Sequence, residues 1–110
     1  MALNKQQRML HRAKADILAA AGHPIRLAVI EYLADGEKCV CDIVEHLGAG
    51  QPNVSRHLAV LHQAGLVSRR KDGLRVLYSL EAPCILGFLN CVTEVLKHRL
   101  ADTRELLRRL

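Results

Sequence analysis

Hydrophobic residues recur every three or four positions along most of the 110-residue chain, as they do in amphipathic α-helices. This spacing, with the glycines and prolines that interrupt it, predicts helices at about 4–21, 24–34, 51–64 and 83–108, and a short helix that carries Ile43, Val44 and Leu47. Before the last helix, at about 66–80, two short runs flank Asp72-Gly73, a dipeptide typical of a tight turn between β-strands. The sequence therefore predicts one mostly helical domain with a β-hairpin.

The helix predicted at about 51–64 has one apolar and one polar face. Val54, Leu58 and Leu61 are spaced at i, i+4 and i+7, so they share a face. The polar side of its first turns carries amide, hydroxyl and guanidinium groups, which hydrogen-bond base edges and phosphates in a DNA major groove. The candidate DNA-binding residues of this helix are Gln51, Asn53, Ser55, Arg56 and His57. Taken alone, an ordinary amphipathic surface helix accounts for the same pattern.

The hairpin that follows this helix is basic. Arg69, Arg70 and Lys71 precede its turn, and Arg75 follows the turn. A charged hairpin is usually only a solvated surface, but directly after a recognition helix it favours a wing, with Arg70, Lys71 and Arg75 contacting phosphates. The formal net charge of +5 also favours a polyanionic partner, and the aromatic content of 3% argues against binding of single-stranded nucleic acid.

From Leu47 the chain reads LGAGQPNVSRHLAVLHQAGLV, and the basic hairpin comes next. Together these two features closely resemble the ArsR/SmtB family of winged-helix repressors, and the resemblance covers roughly residues 20–95. It implies a single winged helix-turn-helix domain spanning 1–110, in a homodimer that represses transcription. It also implies that the repressor leaves its double-stranded operator when an inducer binds, usually a metal or metalloid ion and sometimes a reactive sulfur species.

The last predicted helix has more apolar length than a three-helix core can cover. We therefore expect the first and last helices to pack against their copies in a second subunit. Such a dimer would place two recognition helices about one DNA turn apart. The chain has no run of eighteen apolar residues and no signal peptide, so we expect a cytoplasmic protein with no membrane partner.

Four cysteines in a cytosolic chain indicate either buried packing or thiolate chemistry rather than a disulfide framework. Cys39 and Cys41 lie at or just before the start of a short helix, where the helix dipole favours a thiolate. Either Cys39 or Asp42 could cap that helix. Two side chains spaced at i, i+2 point to the same side of an extended segment and can reach one soft ion, whereas in a helix they diverge.

The resemblance adds that a C-V-C-D sequence stands at this position in the arsenic- and antimony-responsive members, and in some members that respond to cadmium, lead or zinc. The third cysteine of the arsenic-type pattern is replaced here by Val44, so a third ligand must come from elsewhere. Cys84 and Cys91 on the last helix are candidates, although core packing or a redox role accounts for them as well. The family's second metal site, on the last helix, is expected to be lost or rebuilt around sulfur.

The favoured hypothesis is a repressor released by As(III) or Sb(III), because three thiolates suffice for these ions and four cysteines favour soft ions. A sensor of Cd, Pb or Zn with the same fold is one alternative. A thiol redox or persulfide sensor, in which two cysteines become bridged, is another. An enzyme is not expected, because the cysteines are spaced C-x-C rather than C-x-x-C and no βαβ pattern surrounds them.

Overall fold

The computed structural model describes residues 2–110 as five helices, a short 3₁₀ turn and three strands. In chain order these are α1 (Lys5–Ala21), α2 (Pro24–Tyr32), the 3₁₀ turn (Leu33–Asp35), β1 (Lys38–Cys39), α3 (Val40–Leu47), α4 (Gln51–Gln63), β2 (Val67–Asp72), β3 (Arg75–Leu80) and α5 (Ile85–Arg108). The strands form one antiparallel sheet in the order β1-β3-β2. Helices α3 and α4 form a helix-turn-helix, with the β2–β3 hairpin as its wing. This architecture confirms the predicted winged helix-turn-helix.

The core lies where α2, α3 and α4 meet. Val54, Leu58 and Leu61, the apolar stripe of α4, are fully buried, as their spacing predicts. They pack with the buried side chains of α2 and α3, which include Ile30 and Ile43. Burying one such aliphatic side chain stabilises the fold by about 1.5–3 kcal/mol, so this stripe fixes which face of α4 is left outside.

A glycine turn at the end of α4 directs the chain into the wing. Gly65 has a φ of 80°, and its backbone N–H donates to the carbonyl of His62 at 3.0 Å. The N–H of Leu66 donates to the carbonyl of Leu61, also at 3.0 Å. This pair of hydrogen bonds is a Schellman motif, completed by the buried side chains of Leu61 and Leu66. It sets the angle between the recognition helix and the wing.

The wing turn lies one residue later than the sequence pattern indicates. Asp72 is the last residue of β2 and pairs with Arg75, so the two-residue loop is Gly73-Leu74 rather than Asp72-Gly73. Gly73 has a φ of 64°, and a two-residue loop with glycine first matches a type II′ turn. The side chain of Leu74 is fully exposed at the tip.

Helices α1 and α5 leave most of their apolar side chains uncovered. The large exposed hydrophobic residues of these two helices are Met9, Leu10, Ile17, Leu18, Phe88, Val92, Val95, Leu96, Leu100, Leu106 and Leu107. Within residues 2–110 no single helix is long and apolar enough to cross a membrane; α1 and the α2 segment pass such a test only jointly, and they are bent by 83°.

Candidate functional site

The first cysteine of the C-x-C pair lies where β1 joins α3. Cys39 is the N-cap of α3, with extended backbone angles, and its Sγ accepts a hydrogen bond from the backbone N–H of Asp42 at 3.2 Å. Of the two caps considered from the sequence, Cys39 is therefore the one formed. A sulfur that accepts an N–H at a helix N-terminus is stabilised as the thiolate, the form that binds metals.

The backbone at the pair is half extended and half helical. Cys39 ends β1, whereas Cys41 lies in the first turn of α3, and their Cα atoms are 5.3 Å apart. This mixed geometry brings the two sulfurs together, and in the structure they are joined as a disulfide. Cys39 is buried and Cys41 is exposed, so solvent reaches the pair from the Cys41 side.

A carboxylate lies beside the two sulfurs. Among residues 2–110, one group of three side chains suited to metal binding brings its ligand atoms within 4.8 Å of one another, and it consists of Cys39, Cys41 and Asp42. The sequence pattern presented Asp42 only as a capping residue; its position next to Cys41 was the available signal for a ligand. Cys84, directly before α5, and Cys91, within α5, are both exposed and lie outside this group.

The polar face of α4 presents most of the predicted DNA-binding side chains to solvent. Gln51, Ser55 and Arg56 are exposed, and Asn53 is half-buried. Arg56 Nη2 donates to Asn53 Oδ1 at 3.2 Å, so these two side chains are held together on one turn.

His57, also on this helix, differs in that it packs against another ring. It is half-buried, and its ring lies against the ring of His23 with centroids 4.2 Å apart. His23 caps α2, since its Nδ1 accepts the N–H of Ile25 at 3.1 Å. Burial lowers the pKa of His57, and the positive charges of His23 and nearby arginines lower it further. Residue spacing along the chain does not predict this contact.

The wing carries its basic side chains in two different states. Lys71 and Arg75 are exposed, and within residues 2–110 neither forms an ion pair. Arg70 instead forms two hydrogen bonds with Glu37, from Nε to Oε2 at 2.8 Å and from Nη2 to Oε1 at 2.7 Å. Hydrogen bonding to Arg70 lowers the pKa of Glu37, and the same bonds raise the pKa of Arg70.

The cysteine pair and the polar face of α4 border the same groove, which has a volume of about 460 Å³. Cys39 and Cys41 line one side, and the first turns of α4 line another through Gln51 and Ser55. The wing closes the groove with residues that include Arg69, Arg75 and Leu74 at its tip. The candidate inducer site therefore lies directly beside candidate DNA-binding residues.

Comparison with known proteins gives a consistent set of similarities. Residues 23–69 match the family model described as "Bacterial regulatory protein, arsR family". The chain is 33% identical over 94 residues to an uncharacterized HTH-type transcriptional regulator of Mycobacterium tuberculosis, covering 84% of this chain and 82% of that protein. It is 36% identical to the arsenical resistance operon repressor of Staphylococcus xylosus, covering 66% and 69%. It is 39% identical to a probable mercury resistance operon repressor of Streptomyces lividans, covering 63% and 55%.

Solved structures share the fold. The NolR crystal structure from Sinorhizobium fredii is similar with a TM-score of 0.78 and 26% identity, covering 86% of this chain and 95% of that one. The homodimeric winged helix-turn-helix domain Mb0332 from Mycobacterium bovis, solved by NMR, has a TM-score of 0.76 and 27% identity, covering 91% and 94%.

Proposed function

Because the chain belongs to the ArsR family of bacterial regulatory proteins, we propose that it is a cytoplasmic homodimeric repressor and that a thiophilic ion releases it from its operator. The same membership makes it a DNA-binding transcriptional regulator rather than an enzyme. The observation that carries this proposal is the position of Cys39 and Cys41. Both sulfurs lie at the start of the helix-turn-helix, on the groove that α4 and the wing also border. An ion bound there changes the backbone at the start of α3, and it also changes the wall of the groove that the two cysteines form.

As(III) or Sb(III) is the inducer we favour. Reduced Cys39 and Cys41 supply two thiolates, and Cys84 or Cys91 of a second subunit supplies the third. The similarity to an arsenical resistance repressor supports this choice. Cd, Pb or Zn is the second candidate, and the carboxylate of Asp42 favours it, because these ions accept mixed sulfur and oxygen ligands.

A thiol redox or persulfide sensor is a further candidate, favoured by the contact between the two sulfurs. Formation of the Cys39–Cys41 disulfide removes two electrons and two protons from the thiols, and a peroxide or sulfane sulfur compound takes up the electrons. In this case release from DNA needs an oxidant and is reversed by a thiol reductant.

On DNA, the exposed first turns of α4 read base edges in the major groove, through Gln51, Asn53, Ser55 and Arg56. The exposed Lys71 and Arg75 of the wing contact phosphates on the flanking backbone. The uncovered apolar faces of α1 and α5 pack in the homodimer, as the homodimeric state of the similar Mb0332 domain supports. Because the dimer has a two-fold axis, we expect its operator to be palindromic.

The test is a titration of fully reduced protein on a fluorescent palindromic operator, selected beforehand from random DNA with the same protein. Arsenite, cadmium, lead and zinc are added separately to the wild type and to Cys39→Ser, Cys84→Ser, Cys91→Ser and Asp42→Asn variants. Release by arsenite that is lost in Cys39→Ser, and also in Cys84→Ser or Cys91→Ser, supports a three-sulfur site. Release by cadmium, lead or zinc that is lost in Asp42→Asn supports the mixed site. An operator complex that resists every ion contradicts ion sensing, and release by peroxide or persulfide then supports the redox sensor.

A further inference from the structure

The candidate sensor residue Cys39 is part of the same sheet as the wing. Strand β1 pairs with β3, so that Lys38 lies opposite Tyr78 and Cys39 lies opposite Leu77. On the other side of β3, Arg70 of β2 also lies opposite Leu77. Cys39, Leu77 and Arg70 therefore form one row across the three strands. A displacement of Cys39 acts on the wing through this sheet as well as on α3.

Strand β1 is only two residues long, and so short a pairing holds its position weakly by itself. The side chain of Glu37, directly before β1, reaches across β3 to Arg70. These two residues are 33 positions apart in sequence. Among residues 2–110, the other five ion pairs join positions three or four apart within one local segment. The Glu37–Arg70 pair is thus the ionic connection between the cysteine segment and the wing.

The geometry of this pair is suited to fixing position. Two parallel hydrogen bonds between a guanidinium and a carboxylate define an orientation as well as a distance. The side chains of Glu37 and Arg70 are 32% and 57% exposed, and ion pairs as exposed as this contribute little to the free energy of unfolding. The pair therefore fixes position more than it stabilises the fold. The charge of Arg70 is also balanced by Glu37, which leaves Arg69, Lys71 and Arg75 as the wing cations that form no ion pair within residues 2–110.

We propose that the Glu37–Arg70 pair transmits the state of the cysteine site to the wing, and that Arg70 acts as a positioning residue rather than as a phosphate contact. The proposal rests on the proposed function, since it assigns the route by which an ion on Cys39 and Cys41 weakens DNA binding. An ion that draws both sulfurs toward it moves the end of β1, and Glu37 moves Arg70 and the wing with it. Without the pair, the ion still binds but the wing responds less.

The experiment compares Glu37→Gln, Arg70→Gln, the double variant and Lys71→Gln as the matched control. For each reduced protein, operator Kd is measured with and without saturating arsenite or cadmium, whichever releases the wild type, and again over a series of salt concentrations. Ion affinity is followed separately by the ultraviolet absorbance of the metal–thiolate bonds. The ratio of the two Kd values reports the coupling between sites, which is typically about 5- to 150-fold.

We expect Glu37→Gln and Arg70→Gln to lower this ratio several-fold and by equal factors, with no further loss in the double variant. Ion affinity and the salt dependence of operator binding should stay near the wild-type values. Lys71→Gln should leave the ratio unchanged and reduce the salt slope by about 0.9, the effect of one lost phosphate contact. Exchanging the two charges, in Glu37→Arg with Arg70→Glu, should restore the ratio.

Two results would overturn the proposal. The first is a reduced salt slope in Arg70→Gln together with tighter operator binding in Glu37→Gln, because Arg70 would then be a phosphate contact restrained by Glu37. The second is an equal ratio of operator Kd values, with and without the ion, in the wild type and in the Glu37→Gln variant. A wild type that stays on the operator at saturating ion contradicts the proposed function itself, which separates that failure from this one.

Discussion

At the scale of single residues, Cys39 has two roles that substitution can separate. Its sulfur caps α3, and it is also a candidate ligand. Serine is a strong N-cap and keeps an acceptor for the Asp42 N–H, whereas alanine does not. We expect Cys39→Ala to lower the free energy of unfolding by about 0.5–2 kcal/mol relative to Cys39→Ser. Both variants should lose ion-dependent release.

Urea denaturation of the reduced proteins checks the first expectation, and operator titration with the releasing ion checks the second. Equal stability of the two variants would show that a side-chain acceptor at this N-cap position does not stabilise the fold. Ion-dependent release that persists in Cys39→Ser would remove Cys39 from the ligand set.

The half-buried ring of His57 predicts a dependence of stability on pH. Because burial lowers its pKa in the folded state, the unfolded chain binds a proton more readily than the folded chain. The stabilisation is present above the unfolded pKa of about 6.5, and it is lost as the pH falls through the lower folded value. We expect wild-type protein to lose more stability than His57→Gln between pH 7.5 and 5.5 in urea denaturation. Parallel pH profiles for the two proteins would contradict this account.

At the scale of elements, the turn between α4 and the wing depends on Gly65. Its φ of 80° is costly for any residue with a Cβ, so Gly65→Ala should lower the free energy of unfolding by about 1–2 kcal/mol. Gly87→Ala is the matched control, because Gly87 lies within α5 with open space around it and no positive φ. Alanine there should stabilise the helix by up to about 1 kcal/mol. Thermal or urea unfolding measures the stability of both variants. A change in stability of the same sign in both would contradict the role assigned to the positive φ of Gly65.

What the sequence could predict at this scale follows from the range of the interactions. The buried stripe of α4 was predictable because Val54, Leu58 and Leu61 are related by local helical spacing alone. The Glu37–Arg70 contact was not, because it depends on which strand β1 joins and in which register.

Local geometry limited the prediction at two further places. The wing turn was displaced by one residue, since the positive φ of Gly73 fits the first loop position and Asp72 remains in the strand. At the cysteine pair, the sequence leaves two helix starts open, Cys39 or Asp42, and the structure changes from extended to helical backbone between Cys39 and Cys41. A boundary of this kind is set by packing around Ile43 and by pairing with β3, neither of which local spacing reports.

At the scale of the whole molecule, the uncovered apolar faces of α1 and α5 predict that DNA binding requires the dimer. Leu96→Glu places a charge on the apolar face of α5, where the native leucine is 51% exposed in the single chain. We expect a monomer in sedimentation velocity and a loss of operator affinity of at least tenfold, because only one recognition helix is then bound at a time. Leu110→Glu, at the fully exposed end of the chain, is the control that should remain dimeric. A Leu96→Glu variant that sediments as a dimer would place the interface elsewhere.

The bond between the two sulfurs of Cys39 and Cys41 has a consequence for how the cell's signals combine. A sulfur that is bonded to its neighbour has no thiolate to offer an ion, and a sulfur that holds an ion is shielded from oxidants. Under the proposed function, a thiophilic ion and an oxidant would therefore compete for the same two sulfurs. Where both are present, their effects on operator binding are then expected not to add.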